Sequence, residues 1–87
     1  MVLYTAKRCA WCFRARLILR RRHVAYREVD LTDDAEGRAW LARASGGRRT
    51  VPQVFIDGRP IGGSDELAAL DRSGELARLL EAPAPPG

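Results

Sequence analysis

The stretch YTAKRCAWCFRARLIL, Tyr4 to Leu19, holds the only two cysteines of an 87-residue chain, three positions apart, where a strand-like run gives way to a helical one. Val2 to Tyr4 is a short apolar run and reads as a buried strand. From Cys12 the apolar positions fall at Cys12, Ala15, Ile18 and Leu19, the stripe of a helix, with Arg14, Arg16, Arg20 and Arg21 turned outward. Arg20, Arg21 and Arg22 stand in its last turn, where positive charge complements the helix dipole. His23 follows as a helix-end residue, and there is no second histidine to make it half of a ligand pair.

Beyond this stretch, VAYREVDL alternates Val24, Tyr26 and, less cleanly, Val29 and Leu31, which predicts a second strand. A second helix follows over TDDAEGRAWLARASGG, with Thr32 or Asp33 as N-cap and Gly46-Gly47 as its stop. VPQVFID and RPI flank Asp57-Gly58, a strong hairpin signal. Ser64 or Asp65 is then expected to cap a last helical region, interrupted near Ser73-Gly74. Residues 1–82 read as one domain, and 83–87 as a proline-rich tail expected to be disordered.

The element order β-α-β-α-β-β-α predicts an α/β fold. A right-handed crossover makes the first two strands parallel. The hairpin adds two more, its first strand antiparallel to the opening one, giving a four-stranded mixed sheet flanked by helices. A Cys-x-x-Cys at the end of the first strand of such a unit is a thioredoxin-like redox signature.

Composition narrows the classes further. Hydrophobic residues make up 46% and charged residues 30%, which suits a globular domain rather than a disordered chain. No apolar run approaches the roughly 18 residues that span a membrane, and MVLYT lacks a signal-peptide layout, so a cytoplasmic location is expected. Thiols are kept reduced there. The charge of +4 comes from fourteen arginines and a single lysine, Lys7. The few aromatics are not interleaved with the arginines, so no nucleic-acid partner is expected.

Three chemistries compete for the cysteines. A structural zinc takes about four ligands, and the chain offers two cysteines and one distant histidine. Inert core cysteines have no reason to occupy a helix mouth behind two cations, Lys7 and Arg8. A redox pair fits both facts. Cys9 at the positive end of the helix would be the nucleophile, its thiolate stabilised by free backbone N–H groups. Cys12, one turn in on the buried stripe, would be more protonated and would resolve the intermediate. A stabilised thiolate is also a better leaving group, and turnover in thiol–disulfide exchange depends on that step.

Together YTAKRCAWC, RTVPQVFIDGRPIGGSDEL and LDRSGELARLL resemble the glutaredoxins, in particular the small bacterial dithiol class, over roughly Val2 to Leu80. The resemblance implies a thioredoxin-like fold and a monomer that reduces protein disulfides and glutathione mixed disulfides. Glutathione would be the reductant, with no tightly bound cofactor. It implies that Thr50, Val51 and Pro52 form a loop with a cis Val51–Pro52 peptide, the backbone before the proline pairing strand-fashion with the cysteinyl part of glutathione. Gly63, Ser64 and Asp65 would hold the γ-glutamyl end, helix-start N–H groups taking its carboxylate and the Asp65 side chain its ammonium. Arg38 is a candidate for the glycine carboxylate, and Trp11 would flank the tripeptide.

The chain departs from the family pattern at two positions. A lysine usually stands where this chain has Ala6, so Lys7 or Arg8 would have to substitute. A proline usually stands where it has Ala10. Relatives lacking that proline include some that bind a [2Fe–2S] cluster between two subunits through the first cysteine, here Cys9, and two glutathiones. That is the alternative function. Another is a redoxin reduced by thioredoxin reductase or a different low-molecular-weight thiol.

Overall fold

A computed structural model describes residues 1–81, so the expected domain limit at residue 82 and the tail 83–87 lie outside them. The elements run β1 (Val2–Thr5), α1 (Ala10–Arg21), β2 (Arg27–Asp30), α2 (Ala35–Ala44), β3 (Gln53–Ile56), β4 (Arg59–Gly62), α3 (Ser64–Ser73) and α4 (Glu75–Glu81). They form the expected mixed sheet, in the order β2-β1-β3-β4. β1 is parallel to β2 and antiparallel to β3, and β4 closes a hairpin with β3. Asp57 and Gly58 both have positive φ, 51° and 78°, which matches the right-handed twist of the strands they join.

Side chains alternate across the sheet and divide the core in two. Leu3 and Val54 pack on one face against Ala15, Ile18 and Leu19 of α1, Leu67 and Ala68 of α3 and Leu76 of α4. Phe55 points to the other face, where it meets Leu31 and Leu41 with Val2 and Tyr4 against them. Trp40 of α2 completes this second layer, its ring 5.4 Å from that of Tyr4 and 6.0 Å from that of Phe55.

Three boundaries differ from expectation, each for a local reason. β2 begins at Arg27, because Val24 and Tyr26 reach the core from the preceding turn rather than from the ladder. The N-cap of α2 is Asp34, whose carboxylate accepts the Gly37 N–H at 2.8 Å. Thr32 is engaged elsewhere, its hydroxyl accepting the Lys7 N–H at 2.7 Å, and Asp33 turns the chain at φ 61°. The N-cap of α3 is Gly63, with no side-chain cap, and Ser64 and Asp65 are already helical. The break near Ser73 is complete: Gly74 takes a left-handed conformation (φ 82°) that ends α3 and lets α4 start separately.

A polar tie fixes α1 to the sheet below the cysteines. Arg16 forks onto Glu28 with two bonds of 2.8 Å, and the buried Thr5 hydroxyl donates to the same carboxylate at 3.0 Å. The Arg16 guanidinium, with help from Thr5, holds the Glu28 carboxyl below its usual range. One tie thus joins α1, β1 and β2 under the Cys-x-x-Cys turn.

Candidate functional site

The chain leaves β1 through a tight turn in which Arg8 takes positive φ (57°), and this delivers Cys9 to the N-cap of α1. Its sulfur accepts the Cys12 N–H at 3.1 Å. An unpaired backbone donor at a helix mouth is thereby aimed at the atom on which negative charge would develop. Across a gap, the Cys9 Sγ lies 3.7 Å from the Val51 carbonyl oxygen, to which the thiol donates.

Cys12 is fully buried, and both cysteines are free thiols. Burial, followed by its hydrogen bond with Cys9, pushes the Cys12 thiol up to about 12, against the pull of the Ala6 N–H and the Arg16 charge. The two sulfurs are therefore unequal: one sits at a rim, the other is enclosed.

This inequality gives a measurable pH effect. The folded value of Cys12, about 12, lies above its ordinary 9.0, so the protonated thiol favours the fold fully below about pH 9. That contribution is lost as pH rises through about 12, because the unfolded chain ionises first. Urea melts across this window should show stability falling less steeply in Cys12→Ala than in the parent. Equal slopes would contradict the burial of the thiol. Below pH 9, alkylation should modify Cys9 and leave Cys12 protected until the chain unfolds.

A cavity of ≈ 200 Å³ opens beside Val51. Trp11, Thr50, Val51, Pro52, Gly63, Ser64 and Asp65 all line it, joined by Arg48 and Glu66. The Val51–Pro52 peptide is cis. The Gly62-Gly63 pair is a steric requirement of this wall. A Cβ on Gly63 would sit 3.1 Å from the Pro52 carbonyl oxygen, and one on Gly62, at φ 128°, would meet the Glu66 side chain at 2.7 Å. The Ser64 hydroxyl is buried and has no hydrogen-bond partner among the described residues.

Two expected residues are not brought to this wall. Arg38 lies on α2 beside Arg43 and Arg49 over an alanine floor, and its guanidinium donates to the Arg49 carbonyl at 3.4 Å. Lys7 is exposed in the turn before Cys9 and does not line the cavity. Two unexpected residues are. Arg48 and Glu66 form an ion pair within the cavity lining, and nothing in their local sequence marks them, since the pair spans 18 positions. Asp65 is also already partnered: Arg14 of α1 reaches it at 2.9 Å while lying 5.6 Å over the Trp11 ring. A ligand ammonium bound at Asp65 would therefore exchange with Arg14.

Among the described residues no group of three or more metal-ligating side chains converges, and no helix is long and apolar enough to cross a membrane.

The family model described as Glutaredoxin matches residues 1–61. The glutaredoxin of Pseudomonas aeruginosa is 43% identical over 82 residues, which cover 94% of this chain and 96% of that protein. The solution structure of glutaredoxin from Brucella melitensis superposes with a TM-score of 0.83 at 37% identity, covering 95% of this chain and 89% of that one. The crystal structure of a buckwheat glutaredoxin–glutathione complex matches with a TM-score of 0.81 at 32% identity, over 91% and 74% of the two chains.

Proposed function

The chain belongs to the glutaredoxin family of thiol–disulfide oxidoreductases, and from that premise we propose that it reduces glutathione mixed disulfides and protein disulfides at Cys9, with glutathione as electron donor. The observation that carries the proposal is the placement of the Cys9 sulfur. It caps α1 and faces the Val51 carbonyl on the edge of a cavity lined by both apolar and polar residues.

In this scheme the Cys9 thiolate attacks the glutathione sulfur of a mixed disulfide, and the protein thiolate departs and takes up a proton. The Cys12 N–H that already points at the Cys9 sulfur stabilises it as nucleophile and later as leaving group. A second glutathione thiolate then attacks the bound glutathione sulfur, releasing glutathione disulfide and restoring Cys9. For a protein disulfide, Cys12 attacks the Cys9 sulfur instead, and two glutathiones reduce the resulting Cys9–Cys12 bond.

The cavity supports glutathione as the occupant, and a structural relative is known as a glutathione complex. The first N–H groups of α3, at Ser64 and Asp65, lack intrahelical partners and suit the γ-glutamyl carboxylate. The unpaired Ser64 hydroxyl offers a further contact. Trp11, 59% exposed, gives an aromatic face at the other side. Because Asp65 and Glu66 are each held by an arginine, a zwitterionic end group would enter by exchanging ion pairs rather than by burying a new charge.

One turnover assay tests the donor. Glutathione with its reductase should support reduction of a small glutathione mixed disulfide, and thioredoxin reductase alone should not. Turnover with thioredoxin reductase and none with glutathione would overturn the glutathione assignment while leaving the family intact.

A further inference from the structure

Phe13 and Leu17 are 64% and 44% exposed, whereas Ile18 and Leu19 of the same helix are buried and the exposed Trp11 lines the cavity. Their positions are not scattered. The Phe13 N–H donates to the Cys9 carbonyl at 3.2 Å, so Phe13 stands one turn above Cys9, and Leu17 one turn above Phe13. Phe13 and Leu17 thus form a short column on the solvent face of α1, which starts just after Cys9 at the N-cap, with Leu17 about 12 Å from Cys9 along the axis. Single exposed apolar residues are ordinary on protein surfaces, but two stacked in the turns that follow Cys9 make one apolar ridge beside it.

The charges around this column have one sign. Lys7 and Arg8 are exposed at its head, and Arg20 and Arg21 at its foot. None of the four has a carboxylate within 4 Å among the described residues. The nearby carboxylates are neutralised, Asp65 by Arg14 and Glu28 by Arg16. A second copy of this chain would bring four more cations against these, so the rim opposes self-association through this face.

We propose that the Phe13–Leu17 ridge is the docking surface for polypeptide substrates whose reacting cysteine lies within about 12 Å of an exposed apolar side chain flanked by acidic residues. The apolar ridge seats that side chain, the cationic rim takes its acidic neighbours, and the column directs the bonded cysteine to Cys9. The proposal rests on the thiol–disulfide reaction above. In a disulfide of cysteine and glutathione the glutathione half is assigned to the cavity and the cysteine half is too short to span the ridge to Leu17, so this substrate tests that reaction separately.

Two glutathionylated peptides of equal length and the same apolar residue, one flanked by glutamates and one by lysines, provide the test. The parent should favour the acidic peptide in kcat/KM by about tenfold at low salt, and the preference should shrink at about 0.5 M salt. The double variant Phe13→Ser, Leu17→Ser should raise KM for the acidic peptide by about tenfold with kcat unchanged, and should leave turnover of the small disulfide as it was. Arg20→Glu with Arg21→Glu should abolish the peptide preference, because two of the four rim charges then oppose the other two. Equal use of both peptides by the parent overturns the proposal. So does an equal loss on the small disulfide in the serine variant, or a dimer in solution that the serine variant dissolves. Absence of small-disulfide turnover in the parent would instead refute the reaction itself.

Discussion

Cys9→Ser should lower glutathione-dependent disulfide reduction by about 10³-fold or more while leaving the fold intact. Loss of the nucleophile removes both the attacking group and the leaving group of the exchange cycle, and a serine hydroxyl supplies neither at neutral pH. The substitution is unusually clean because of where the residue sits. Cys9 is the N-cap of α1, and its sulfur accepts the Cys12 N–H. Serine is among the preferred N-cap residues, and its oxygen can accept the same donor. The thermal midpoint of the variant should therefore stay within a few degrees of the parent, on the order of what a change of about 1 kcal/mol in a domain this size produces. Steady-state turnover together with a thermal melt checks both halves. Retained activity would remove Cys9 from the reaction. Lost activity with lost structure would be answered by Cys9→Ala, which drops the cap and should be the less stable of the two.

The fold was legible because each of its signals is local. Period-2 and period-3.6 stripes, the Asp57-Gly58 turn and the Gly74 break all announce themselves within a few residues, and the sheet order then follows from connection rules. The N-caps were less so. Thr32, Asp33 and Asp34 are all acceptable caps by type, and the choice went to Asp34 because Thr32 was taken by the Lys7 backbone N–H from 25 positions away.

The site divides in the same way. Cys9, Trp11, Thr50 to Pro52 and Gly63 to Asp65 lie on short segments at the ends of β1, β3 and β4, which the topology brings to one edge. Charged residues on long side chains were harder to place. Arg38 is a candidate from its place on the second helix, yet its guanidinium turns to the Arg49 carbonyl. Arg48 reaches Glu66, and Arg14 reaches Asp65 across 51 positions, with nothing in the flanking residues to select those partners. In a chain with fourteen arginines, the identity of the residue carries little information about which carboxylate it meets. Cavity-lining carboxylates that already hold arginines are consequently a property of the assembled structure.

Cys12→Ser should separate the two proposed reactions. Reduction of a protein disulfide should fall by about 100-fold or more, whereas turnover of a glutathione mixed disulfide should stay within about threefold of the parent. In the first reaction the mixed disulfide at Cys9 is opened by an intramolecular thiol one helical turn away, and such oriented neighbours act at effective concentrations far above any solution thiol. In the second the opening thiol is a free glutathione, and Cys12 contributes only its backbone N–H, which serine retains. Burial makes the contrast sharper. The Cys12 thiol is enclosed and pushed up to about 12, partly by its hydrogen bond with Cys9, so it is a poor nucleophile while Cys9 is free. Once Cys9 is tied up in a mixed disulfide its hydrogen bond no longer holds the Cys12 proton, and the Ala6 N–H and the Arg16 charge still favour the Cys12 thiolate, although burial continues to oppose it. Parallel assays on the two substrate types decide the matter: equal losses in both would place Cys12 in the structure rather than in the reaction, and equal retention would show that protein disulfides are opened by glutathione alone.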